Sequence, residues 1–317
     1  MENADTYLLK FRGHLEALGR SPATISLYSD QAGLFLRTVE VKEIRQVTRR
    51  HIEDYVAGLH GRDYTVGTIC TKVRAVKRLF EFLEGANIVF IDPAECIREP
   101  AKPKTLPRAI LTPEEMSLIL DQPNLGLMTG IRDRAILEVF YTTGVRLEEL
   151  CRLTVFDADL PGKQLRVNRG KGGRDRVVPL GRHAVRFLRE YITRTRPELT
   201  RPDRSVRRLF VGRGGAPISN QAVSLMVRTC ARKAGLAARV TAHTFRHTFA
   251  SALVKNGADI VAVQKMMGHA TAKTTQQYIR SLGLDVKAVH KKTHPRERDG
   301  GEVVKPEIRR MKHAATP

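Results

Sequence analysis

The sequence predicts a mainly α-helical protein in two domains, with a small antiparallel sheet in the second. Three observations carry this. Residues 6 to 91 keep a helical hydrophobic period almost throughout. The stretch "DPAECIREPAKPKTLPR" at 92 to 108, with four prolines and four basic residues, then breaks that period. Beyond it helices resume, but "KQLRVN" and "RVVPL" are short strands around a glycine-rich "RGKGGRD", the pattern of a β-hairpin. The 317 residues suit two domains of ordinary size, and a 42% apolar content is enough to fill their cores.

The elements follow in order. Ser21 is placed to cap a helix that has Pro22 at its first position. Thr48 opens the next, over "RRHIEDYVAGL". A helix over about 65 to 84 sets Ile69, Val73, Val76, Phe80 and Leu83 on one stripe. Arg74 and Arg78 lie opposite that stripe, with Lys72 and Lys77 on its flanks. These four charges read either as a solvated face or as a DNA contact. Together the helices make a bundle assigned to residues 1–91. Proline withholds the N–H that helices and strands need, so 92–108 reads as an extended basic linker.

The second domain, 109–294, opens on a capping box of Thr112 and Glu115, with Pro113 at the first helical position. A helix over about 131 to 142 stops at Gly144, and "RLEELCRL" begins another. After the hairpin, helices are predicted over about 182–195, 220–234, 244–256, 258–267 and 272–279. Residues 295–317 read as a basic, mobile tail.

Charge narrows the partners. Lys and Arg number 55 against 33 Asp and Glu, a net charge of +22, which points to a polyanion such as nucleic acid. A membrane partner is not expected, because no run of about 18 apolar residues exists. "MENADTYLLK" has no signal-type apolar core, which predicts a cytoplasmic protein, nucleoid-associated when on DNA. Cys70, Cys96, Cys151 and Cys230 are far apart, without a CxxC, and read as thiols of a reducing compartment.

The surplus concentrates in one place. Between Asp203 and Asp285 there are thirteen Lys or Arg and a single acid, Asp259. Within that interval "HTFRHTFASALVKNG" puts His243, Arg246 and His247 on one face of a helix, with Phe245 and Phe249 turned away. The trio sits at a helix N-terminus, where unpaired N–H groups already favour anions. No local carboxylate neutralises it, so the missing partner reads as phosphate. A metal reading of His243 and His247 is weaker, since an intervening arginine would repel the ion. Asp157 and Asp159 form a carboxylate pair without a third member, so no metal site is predicted. His247 taken alone reads as a residue hydrogen-bonded within the fold.

Other fragments stand at telling distances. "TTGVRLEEL" carries Arg146 just after a helix-ending glycine and Glu149 three residues on. "MMGHATAKTTQQY" carries His269 after a glycine and Tyr278 in a threonine-rich setting. Taken in order, Arg146, Lys171 in "GKGGRDRVVPL", His243 and Arg246 in "HTFRH", His269 and Tyr278 resemble the site of a tyrosine recombinase of the lambda-integrase family. The resemblance is to Xer-like or simple mobile-element integrases and covers nearly the whole chain. Phe245 departs from it, standing where leucine is commoner, which implies a packing change only.

The resemblance implies a SAM-like core-binding domain followed by a catalytic domain, acting on double-stranded DNA at a specific recombination site. It implies Tyr278 as nucleophile, Arg146 and Arg246 on the phosphate, His243 as proton acceptor, His269 as a further donor and Lys171 as general acid. Glu149 would support Arg146. It implies a 3′-phosphotyrosyl intermediate with no metal, ATP or other cofactor, and a tetrameric synapse. In that synapse the segment 282–291, with Leu282, Val286 and Val289 at helical spacing, would pack on a neighbouring protomer. Two other classes share many of these features: a type IB topoisomerase-like nicking and closing enzyme, and a catalytically silent DNA-binding regulator.

Overall fold

The computed structural model describes residues 4–39, 41, 43–101, 110–168, 175–201, 203–236 and 240–268. The hairpin tip with Lys171, the segment from His269 through Tyr278, the 282–291 stretch and the 295–317 tail lie outside the described residues. The chain divides into two compact units, Met1–Leu106 and Pro107–Pro317.

The first unit holds α1 (Ala4–Ala17), α2 (Pro22–Thr38), α3 (Arg49–His60) and α4 (Val66–Gly85). Ser21 caps α2 as its Oγ accepts from the Thr24 N–H at 3.3 Å. His51 Nδ1 accepts from the Thr48 N–H at 3.1 Å, a reciprocal cap at the start of α3. The apolar stripe of α4 is the centre of the core: Ile69, Val73, Val76, Phe80 and Leu83 are all buried. Phe35 of α2 packs edge-on against both Tyr55 and Phe80.

The end of this unit differs from the extended linker the sequence predicts. The proline-rich stretch is not linker from residue 92 onward. Val89, Ala94 and Ile97 are buried in the helical core, and the Cys70 thiol donates to the Pro100 carbonyl. Proline forbids a hydrogen-bond ladder but not packing. Ala94 and Ile97 pack into the core built on α4, whose Lys77 caps the Glu95 and Ile97 carbonyls.

The second unit begins with α5 (Pro113–Leu120), capped as the sequence predicts by Thr112 and Glu115. Next come α6 (Met128–Thr143) and α7 (Leu147–Arg152). The antiparallel sheet follows: β1 (Ala158–Asp159), β2 (Gln164–Val167) and β3 (Arg176–Pro179), in that order. Leu165 pairs with Val178 and Val167 with Arg176. The two-residue β1 is too short to show as periodicity. The remaining helices are α8 (Arg182–Glu190), α9 (Arg196–Leu199), α10 (Asn220–Lys233), α11 (Ala242–Lys255) and α12 (Ile260–Met267).

One helix differs from its expected form. The run predicted over 182–195 widens into a π-turn at Tyr191–Thr195 before α9. Pro197 lies in α9 and has no N–H for the turn before it. The core forms around α6, whose Ala135, Ile136, Leu137, Val139 and Phe140 are fully buried against α8 and α11. Phe245 is fully buried and tilts onto Phe140 at 6.1 Å, the packing role expected of it.

The acids at the sheet are held locally. Asp157 accepts from Thr154 and Asn168, and Asp159 accepts from the Gly162 N–H. Among the described residues no group of three or more His, Cys, Asp or Glu is gathered as metal ligands, and no helix is long and apolar enough to cross a membrane.

Candidate active site

Three glycine-dependent or cap-dependent turns place the charged groups. Gly144 ends α6 in the left-handed region, at φ 58°. A Cβ there would lie 2.4 Å from Phe249 Cδ1, so only glycine permits both the turn and the packing. The reversal makes Arg146 the N-cap of α7. Arginine has no side-chain acceptor for the first-turn N–H groups, and Glu149 makes the return half of a capping box. Its Oε2 accepts from the Arg146 backbone N–H at 2.7 Å, while Oε1 accepts from the Arg146 guanidinium at 2.7 Å.

Glu149 has a second cation, which the sequence reading missed. Arg176, the first residue of β3, donates Nη1 to Oε1 at 3.0 Å and Nη2 to Oε2 at 2.8 Å. Each carboxylate oxygen therefore accepts twice. Burial would push this carboxyl up, but hydrogen bonds from Arg176 and Arg146, with the Arg176 charge, outweigh it and hold Glu149 down at about 2. The sequence did contain a signal. Along β3, Arg176 alternates onto the same face as the buried Val178, and opposite it stands the buried Val167. A charge on the inward face of a strand requires a buried partner.

The C-terminal end of α12 ties these groups together. Its last carbonyls have no helical donor. Arg176 Nε donates to the Met266 carbonyl at 2.8 Å, Arg246 Nη2 donates to that of Met267, and Arg146 Nη2 donates to that of Gly268 at 3.0 Å. Three arginines from three elements thus cap three successive carbonyls. Arg246, 2% exposed, also donates Nη1 to the Gly144 carbonyl. Gly268 takes φ +60°, and a Cβ on it would press on the Arg176 guanidinium at 3.1 to 3.3 Å.

The geometry brings Arg146, Glu149 and Arg246 to the stretch of chain that leads directly into His269. His243 lies one turn before Arg246 on α11, exposed, with its ring 5.6 Å from that of His247 at 80°. Thr241 caps that helix, so His243 stands in its first turn. Lys171, His269 and Tyr278 lie outside the described residues.

The four basic residues of α4 have partners within the first unit. Lys72 is 5% exposed, bonded to Gln31 at 2.7 Å and placed over the Tyr64 ring. Lys77 caps the two carbonyls named above. Arg74 forms a bidentate pair with Glu99, and Arg78 pairs with Glu81. The Arg74 and Arg78 side chains keep 42% and 52% of their surface in solvent, and Lys77 is half-buried.

Comparison with known proteins decides the family. The model of the phage integrase family matches residues 109–283. Tyrosine recombinase XerC of Myxococcus xanthus is 33% identical over 303 residues, covering 93% of this chain and 100% of the relative. Tyrosine recombinase XerD of Mycobacterium tuberculosis is 31% identical over 311 residues, covering 92% and 99%. The chain belongs to the phage integrase family. It is a tyrosine-type site-specific recombinase, and the topoisomerase-like and silent readings are not favoured. A solved lambda integrase(75-356) dimer bound to a COC′ core site shares this recombinase's fold at a TM-score of 0.71 and 18% identity, over 89% of this chain and 96% of that one. The recombinase's small antiparallel sheet and surrounding helices match that catalytic fold.

Proposed function

We propose that this recombinase cuts and rejoins double-stranded DNA at a specific site through a 3′-phosphotyrosyl bond on Tyr278, in a synapse of four protomers. The observation that carries the reading is the convergence of Arg146 and Arg246 on the carbonyls just before His269. A planar guanidinium bonds phosphate oxygens in the plane of its fork. Arg146 has five N–H donors and is 25% exposed, so its side-chain bonds to Glu149 and the Gly268 carbonyl leave others for the non-bridging oxygens.

In the reaction the Tyr278 oxygen attacks phosphorus and its proton passes to His243. The bond to the 5′ oxygen breaks, and Lys171 gives that oxygen a proton. The phosphate is left on tyrosine as an ester comparable in energy to the bond it replaced, so exchange needs no ATP. His269 donates a further hydrogen bond to the phosphate. A second 5′ hydroxyl then attacks and reverses the steps on a new strand. On the first unit, Arg74, Lys77 and Arg78 of α4 keep surface in solvent and would meet a DNA backbone, while the buried Lys72 holds the fold. The segment 282–291 docks on a neighbouring protomer, and the protein works in the cytoplasm on the nucleoid.

The test uses two supercoiled plasmids, one with two target sites in direct repeat and one with none. The first should resolve into two circles, and the second should keep its supercoils. Relaxation of the plasmid without sites, with no resolution of the other, would instead indicate a nicking and closing enzyme.

A further inference from the structure

We infer that Arg176 is a positioning residue for strand cleavage: it holds Glu149 and the end of α12 in one frame, and through Glu149 it sets the Arg146 guanidinium. The inference rests on the reading of Arg146 as a phosphate clamp. Three of the five Arg176 donors are used, two on the Glu149 carboxylate and one on the Met266 carbonyl. Its side chain is 8% exposed and that of Glu149 is 6% exposed. This buried pair joins β3, which continues from the hairpin tip bearing Lys171, to the chain that continues into His269. Arg146 is 25% exposed, so in the triad the clamp is open to solvent and its two supports are not.

The surroundings leave Glu149 dependent on these two cations. α10 packs on α7 but turns Val223, Val227 and Ala231 inward and keeps Arg228, Arg232 and Lys233 exposed. From α11, Arg246 reaches the Gly144 and Met267 carbonyls. From α12 the only charge is the exposed Lys265. Without Arg176, Glu149 would remain buried with Arg146 alone, and its carboxyl would rise from its present value of about 2. Protonated, it would release its grip on the Arg146 fork.

The test compares Arg176→Met and Arg176→Lys with the unmodified protein on a nicked suicide substrate. DNA affinity is read by gel shift and first-order cleavage from pH 5.5 to 8. Arg176→Met should bind the duplex about as tightly as the unmodified protein but cleave it about 10- to 100-fold more slowly, by analogy with the loss when a group that orients a metal ligand is removed. The ratio of variant to unmodified rate should fall further as pH drops, which also cancels any titration of His243 common to both. Arg176→Lys keeps the charge but not the fork, so its ratio should be reduced and flat with pH. If the methionine variant fails to fold, the lysine variant still tests the geometry. In a Glu149→Gln background, Arg176→Met should cost much less than in the unmodified protein. A full cleavage rate for Arg176→Met would overturn the inference, as would a pH-independent loss that adds fully to that of Glu149→Gln. Arg146→Ala and Tyr278→Phe serve as controls. If they also cleave, the proposed site itself is wrong; if they are inactive while Arg176→Met is not, only the role of Arg176 falls.

Discussion

Lys171→Ala should slow cleavage of an ordinary phosphodiester by roughly 10²- to 10⁴-fold, the range for loss of a general acid. The same variant should cut a substrate with sulfur at the 5′ bridging position nearly as fast as the unmodified enzyme does. A thiolate leaves without a proton, whereas an alkoxide does not. Lysine suits the role because its ammonium releases a proton and a guanidinium does not. The competing view makes Lys171 a hairpin-tip contact to the DNA backbone. On that view the defect persists on both substrates, because binding does not depend on the leaving atom. Single-turnover cleavage of the oxygen and sulfur substrates by the two proteins gives four rates that separate the roles.

Glu149→Ala should destabilise the second unit by about 3–5 kcal/mol, the cost of removing one partner from a buried ion pair. Two guanidiniums, Arg146 and Arg176, would lose their shared carboxylate, and the Arg146 N–H would lose its cap. Calorimetric unfolding of the variant against the unmodified chain reads this directly. The pH dependence has a definite sign. Glu149 is held down at about 2, below the 4.5 of a free glutamate, so it contributes stability above about pH 4.5. That contribution is lost as pH falls from about 4.5 toward about 2. The gap between the unmodified protein and Glu149→Gln should therefore be constant near neutrality and shrink over that acid range. A gap that stays constant down to pH 2 would mean the carboxylate is not held by its arginines.

Much of this was legible in the sequence, for local reasons. Ser21, Thr48 and Thr112 announce helix starts because a cap is satisfied within one turn. Gly144 announces a stop because its conformation excludes other residues. The α4 stripe appears as periodicity because a single helix face fills the core. What the sequence did not show depends on contacts distant along the chain. Lys72 reads as a surface charge until Gln31 and Tyr64 close over it. Residues 94 and 97 read as linker until they meet α4. Arg176 alternates with Val178 along the hairpin, but nothing local names its partners, Glu149 27 positions away and Met266 90. The candidate site was found as an ordered set of residues, but the carbonyls of Met266, Met267 and Gly268 that align its arginines carry no side-chain signature at all.

Tyr278 is the residue proposed to form the covalent bond to DNA. A duplex carrying the target site, nicked so that the cleaved fragment diffuses away, traps that bond as a protein–DNA adduct resolved under denaturing conditions. The unmodified protein should accumulate the adduct through its 3′ phosphate, equally well in the presence of EDTA, and Tyr278→Phe should bind the same duplex and form none. An adduct formed by Tyr278→Phe, or one whose formation strictly requires a divalent cation, would contradict the account.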